Sequence, residues 1–185
     1  MQYRGYFLAL AFTAAAACPS MSVAAQASAA SSSRDITRDR LLALLQDVGK
    51  RSDVNIDFHQ STKNPYAIAG VQKVGLKNAD YLEVLASATK DETISIRVFP
   101  HYNGAYINLD KVRDYPGFMR KLVTLNGTNF LYWGADESGD TFAAYAFTME
   151  SGFPAEAISV VVRSISNQDL YVGQLRPFID GTSAK

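Results

Sequence analysis

The side chains able to do chemistry are few in this 185-residue chain: one cysteine, Cys18, and two histidines, His59 and His101. Neither histidine has a second ligand three or four positions on, so no helix-face metal site is encoded. Both read as solvated histidines at strand ends. The sequence contains no G-x-S-x-G elbow, Walker loop or G-x-G-x-x-G turn. Loss of an N-terminal leader would also remove Cys18, the one thiol nucleophile. Asp136-x-Ser138-x-Asp140 resembles the opening of a calcium loop. The sixth position, normally glycine, is Thr141, and the twelfth, normally glutamate, is Phe147. A hairpin turn accounts for the same residues. A hydrolase would need two carboxylates held about 5–10 Å apart across a cleft. Glu83, Glu92, Glu137 and Glu156 are scattered, mostly at turns and helix starts. No catalytic, cofactor or metal residue is therefore expected, and a small periplasmic hydrolase is the lesser alternative. Asn126-Gly127-Thr128 has the form of a glycosylation sequon, but a helix end explains it better.

The aromatic set Phe130, Tyr132, Trp133, Phe142, Tyr145 and Phe147 is the other feature with chemical consequence. On two paired strands alternate residues face opposite sides. This reading puts Phe130 and Tyr132 toward the core, Trp133 on the opposite side, and Tyr145 and Phe147 on one shared face. Such rings either fill a core or form an exposed patch for a protein partner or a second copy. Trp133, Tyr145 and Phe147 are the candidate partner surface.

The N-terminus reads as an address. Arg4 precedes an apolar run from Tyr6 to Ala17, too short to span a membrane at about 20 residues. Small residues then offer cleavage after Ala24 or Ala27. Ala15-Ala16-Ala17-Cys18 also resembles a lipobox, which would make Cys18 a lipid anchor. The expected divisions are a signal peptide over 1–27, a flexible linker over 28–36, a domain over 37–180 and a tail over 181–185. The chain is expected to be periplasmic or secreted. Its formal net charge is zero, and 48% of residues are apolar against 19% charged. That balance suits a globular domain and gives no attraction for nucleic acid.

The elements that must position these residues follow from periodicity. Leu41, Leu44, Leu45 and Val48 form one stripe of a helix over Thr37–Lys50, with Thr37 as its cap. Val54, Ile56 and Phe58 alternate with polar residues as in a half-buried strand. Tyr66–Val74 is a second strand, with Gly70 as a bulge. Tyr81–Ala88 reads as strand or short helix, with strand preferred. Thr93–Pro100 alternates clearly, and Asn103-Gly104 predicts a type I′ hairpin with Ala105–Leu109 returning. Pro116 opens a helix carrying Phe118, Leu122 and Leu125. Strands over Asn129–Ala135 and Thr141–Met149 flank the acidic turn. Pro154 opens a helix with Ile158, Val161, Val162 and Ile165 inward. Asn167 caps a last helix carrying Leu170, Tyr171, Leu175 and Phe178. Strand runs joined by hairpins and separated by helices predict an α+β fold, an antiparallel sheet with helices on one face.

This order, with Leu122, Asn126, Asn129-Phe130, the Asp136/Gly139/Asp140 turn and Gly152-Phe153-Pro154-Ala155-Glu156, resembles the YbjN-domain family, also described as bacterial sensory-transduction-regulator-like. The resemblance implies a type III secretion chaperone-like fold and a chaperone-like or adaptor-like binding domain, often dimeric. The expected function is non-catalytic protein binding or regulation through an apolar sheet or helix surface. A structural envelope lipoprotein held through Cys18 is the alternative.

Overall fold

A computed structural model of the chain describes residues 22–91 and 93–182. Helix α1 spans Ser22–Gly49, followed by strands β1 (His59–Gln60), β2 (Ala67–Gln72), β3 (Tyr81–Ala88), β4 (Thr93–Tyr102) and β5 (Ala105–Tyr106). Helix α2 (Tyr115–Asn126), strands β6 (Tyr132–Ala135) and β7 (Thr141–Thr148), and helices α3 (Ala155–Arg163) and α4 (Gln168–Ile179) complete the order. The seven strands form one antiparallel sheet, β1-β2-β3-β4-β7-β6, with β5 paired to the far end of β4. The fold is α+β, as the periodicity predicts.

Period-two alternation decides which face is covered. Ile94, Ile96 and Val98 of β4 are fully buried. Their ladder partners Val84 and Ala86 on β3, and Ala143 and Phe147 on β7, share that face. Leu41 and Leu45 of α1, Phe118 and Leu122 of α2, Ile158 of α3 and Leu175 of α4 meet them in one core. The helices thus lie on one side of the sheet. Tyr81–Ala88 is a strand with every even residue buried. Asn103 and Gly104 have φ of 54° and 78°, so the type I′ turn is in place.

Several expectations are corrected. The segment 28–36, expected as a flexible linker, belongs to α1. Alanine is the strongest helix former, and neither glycine nor proline occurs between Ser22 and Val48 to break the run. Arg34 also anchors it, donating from Nε and Nη2 to the Ala88 carbonyl at 3.0 and 2.8 Å and stacking 3.5 Å over Tyr66. Thr37 is therefore a buried mid-helix residue and not a cap. Val54, Ile56 and Phe58 are buried as the alternation requires, yet only His59 and Gln60 pair as strand. Asn55 has a φ of 51°, which breaks the extended run. Gly70 makes no bulge. It pairs in register with Val84, and the Phe58 ring lies where its side chain would be. Asn167 stands at the N-cap position of α4 as expected, but its side chain makes no capping hydrogen bond, because a short 3₁₀ turn at Ile165–Asn167 leads into the helix. That entry turns Asp169 inward and leaves Leu170 exposed.

Asp169 ties α4 to the sheet. Its carboxylate accepts from the backbone N–H of Lys77, Asn78 and Ala79 at 2.9, 2.8 and 2.8 Å, and from Asn78 Nδ2 at 3.1 Å. The loop can come this close because Gly173 has no side chain; a Cβ there would lie 2.7 Å from Asn78 Oδ1. Burial alone would push the Asp169 carboxyl up. The donors from Ala79, Lys77 and Asn78 outweigh it and hold the group below the usual aspartate range. Its contribution to stability is thus present above about pH 3.9 and is lost as pH falls through its lower folded value. Asp169→Ala should leave those donors buried and unpaired, lowering urea-unfolding stability by about 3 kcal/mol and removing that acid-side loss.

Candidate functional site

The odd-numbered residues of β3 and β4 face away from the helices. Around them Val71, Leu85, Ser95, Ala144 and Ala146 form a flat surface of small or aliphatic groups, none of them part of the helix-covered core. Arg97, exposed at the centre of this face, lies 4.8 Å over the Phe142 ring. Arg97 and Phe142, with Ala135–Ser138 of the acidic turn, line an open depression of about 480 Å³.

At one end the face carries a row of rings from three neighbouring strands. Tyr81, His101 and Tyr106 are ladder partners across β3, β4 and β5. The His101 ring stacks on Tyr81 at 3.9 Å and 21°, and meets Tyr106 at 4.0 Å and 51°. The Tyr106 hydroxyl donates to Glu83 Oε2 at 2.6 Å. His101 Nε2 lies 3.4 Å from the same oxygen, a close approach that would become an ion pair only on protonation, and both imidazole nitrogens lack a hydrogen-bond partner. Burial pushes the imidazole below the ordinary histidine value, against the opposing pull of Glu83 and, more weakly, of Asp80 and Asp140. The hydrogen bond to Glu83 pushes the Tyr106 hydroxyl well above the usual tyrosine range.

Sequence reasoning placed some of these residues wrongly. His59 is exposed as expected, but His101 is only 5% exposed and is no solvated strand-end histidine. Trp133 and Phe147, expected on a partner surface, are buried at 5% and 6% exposure, and Tyr145 is half-buried. Trp133 pairs with Ala143 on the core face, which turns Tyr132 outward at 48% exposure; Phe130, in the loop before β6, is 50% exposed. Alternation alone places both of these rings toward the core, and the pairing of β6 with β7 overturns that. The exposed ring that touches Tyr145 is Phe130, edge-on at 6.2 Å. Cys18 lies outside the described residues. Cleavage after Ala24 or Ala27 would fall within α1. The Asp136 carboxylate accepts from the N–H of Ser138 and Asp140 at 2.9 and 3.0 Å, which is turn chemistry. Ser87-Ala88-Thr89-Lys90 has Ser-x-x-Lys spacing, but it straddles the end of β3 and its turn instead of one helix face. Sequence reasoning reads Glu83 only as one of several scattered carboxylates, although it sits within β3, and it does not single out Tyr106. The Asn103-Gly104 turn by itself sets Tyr106 opposite His101, so that part of the row was legible.

Asn126, read as part of a sequon, is engaged. Its side-chain amide donates to the Trp133 carbonyl at 3.2 Å and accepts from the Trp133 N–H. It thereby satisfies groups on the outer edge of β6, where another strand could otherwise pair. Comparison of the whole chain with family models, with curated proteins and with solved structures gives no match. No helix among the described residues is long and apolar enough to cross a membrane. Asn126→Ala should unpair both backbone groups of Trp133, cost about 2 kcal/mol in thermal or urea unfolding, and produce concentration-dependent association through the opened β6 edge.

Proposed function

We propose that this chain is an exported binding domain, not an enzyme, that its working surface is the sheet face opposite the described helices, and that a second copy of the chain occupies it. The observation that carries this reading is a sheet with all the described helices on one side. The other side is left with small, apolar and aromatic residues and few charges. Ser95, Ala144 and Ala146 make it flat enough for a facing sheet to approach to about 10 Å.

Area and charge both favour a second copy. The four longer strands, about 4.8 Å apart, give a face of roughly 500 Å². The short strands extend it toward the roughly 800 Å² per partner of a standard interface. Glu83 and Arg97 sit on neighbouring strands, one same-face step apart along the ladder, since Glu83 pairs with Phe99. A twofold axis between them sets each Arg97 against the partner's Glu83. The resemblance to the YbjN-domain family, with its chaperone-like fold and frequent dimers, supports the same reading. The leader-like N-terminus supports export to the periplasm or beyond. The carboxylates nearest the ring row, Asp80 and Glu83, are already engaged by Gly104 N and the Tyr106 hydroxyl, which argues against a hydrolytic pair there.

Size-exclusion chromatography with light scattering tests the proposal. The mature chain should run at twice its monomer mass. Leu85→Asp and Ala146→Arg, both on the open face, should give monomers with unchanged far-ultraviolet circular dichroism. A wild-type monomer throughout the micromolar range would overturn it.

A further inference from the structure

The β4–β5 hairpin brings Tyr106 into the ring row, and its tip is held differently from its flanks. On one flank the Tyr102 hydroxyl donates to Asp180 Oδ2 at 2.8 Å and accepts from Arg176 Nε at 3.1 Å. On the other flank Ile107 is buried, and its carbonyl accepts from Thr141 N and Oγ1 at 2.8 and 2.9 Å. Between these anchors, β5 contributes only the ladder pairs His101↔Tyr106 and Tyr102↔Ala105. The tip's other attachments both go to carboxylates: Gly104 N donates to Asp80 Oδ2 at 2.7 Å, and the Tyr106 hydroxyl to Glu83 Oε2 at 2.6 Å. His101 sits beneath Tyr106 with neither ring nitrogen partnered.

A proton taken from solvent by either nitrogen would turn His101 into a buried imidazolium. The groups facing it are Tyr81 and Glu83 on β3, Asp80 just before β3, Tyr106 on β5 and Asp140 just before β7. The Lys73 ammonium lies farther out, 5.8 Å from the Tyr81 ring. The nearest acceptor, Glu83 Oε2, already holds the Tyr106 hydroxyl. Two outcomes can satisfy the cation: Glu83 turns from Tyr106 to His101, or the tip lifts and admits water. Either one breaks the Tyr106 latch.

We propose that residues 103–106 are an acid-released flap at the end of the open sheet face, closed by the Tyr106 side chain reaching across to Glu83: protonation of His101 unlatches Tyr106 and bares the rings of Tyr81, Phe99 and His101. Burial sets the direction of the response. Because the buried imidazole binds its proton less readily than a free one, the closed state is fully stable above about pH 6.5 and loses stability as pH falls through the lower folded value. The flap is a property of one chain and does not rest on the dimer, so failure of either leaves the other standing.

Hydrogen exchange read by mass spectrometry on the mature chain, corrected for intrinsic rates, tests it between about pH 7.5 and about pH 5. Opening of the peptide containing 103–106 should rise several-fold at the lower pH, with β3 and β7 peptides unchanged. His101→Phe keeps the ring row and should abolish the acid response. Glu83→Gln should loosen the tip at both pH values. Should His101→Phe fail to fold, the His101 Cε1 and Tyr106 ring resonances of the wild type should titrate together. Equal protection at both pH values, an unchanged acid response in His101→Phe, or a Tyr106 resonance that ignores the His101 titration would overturn the flap.

Discussion

Strand β4 is the element on which the rest of the molecule depends. It pairs with β3 through eight residues, with β7 through six and with β5 through two, so it is flanked by strands on both edges. Its period of two then acts on the whole sheet. Once Ile94, Ile96 and Val98 turn toward the helices, the register sends Val84, Ala86, Ala143 and Phe147 the same way. Ser95, Arg97, Phe99 and His101 must face the other side. A slip of one residue would exchange the two sets. It would set Arg97 and His101 against Leu41 and Leu45, which bring no polar group to meet them. The covered core and the open face are thus two consequences of one alternation.

Polar anchors then fix where the helices sit on that sheet. Apolar contact favours a helix on the even face but is non-directional and tolerates sliding. Arg34 to the Ala88 carbonyl, Asp169 to the 77–79 backbone and Asn126 to Trp133 are directional, and each joins a helix to a strand or to the loop before one. Each also satisfies backbone groups that strands and loops would otherwise leave open. Asp169 carries the largest penalty if unpaired, since it is 4% exposed and charged. Its hydrogen bonds exceed that burial cost, so it acts as the pin between α4 and the start of β3.

The strands and helices with clean periodicity were legible in the residues: β4, the Asn103-Gly104 hairpin, α2 and α3 lie close to where spacing puts them. The misses have identifiable causes. A Ser/Ala-rich segment reads as a tether when judged by its lack of an apolar face, yet helix propensity and the Arg34 anchor carry α1 through it. Trp133 was assigned to the wrong side because alternation gives relative faces only. Which face is the core depends on pairing with Ala143, a partner in another strand. The same limit hid the ring row. Tyr106 opposite His101 follows from the turn, but Tyr81 and Glu83 join it only once β3 is known to be a strand in that register. His101 looked solvated because its neighbours in sequence are polar or turn-forming, and its burial comes from rings on two other strands.

The physical oddity of the open face is that its most buried polar ring is also its least satisfied. A phenylalanine at position 101 would stack between Tyr81 and Tyr106 with no polar penalty, whereas an imidazole lacking hydrogen bonds costs about 1–3 kcal/mol on burial. Nothing in the core requires a histidine there, since β4 presents its even residues to the helices. The residues around it depart from a simple stability optimum as well. The hairpin tip is held by two carboxylates, Asp80 just before β3 and Glu83 on it. A polar penalty and two side-chain attachments at one place, on the face opposite the described helices, make that end of the sheet the part most easily moved by the solvent. On the proposed reading of the chain as an exported domain, solvent pH is not held constant as it is inside a cell, so a tip that rests on an unpartnered buried imidazole is coupled directly to its surroundings.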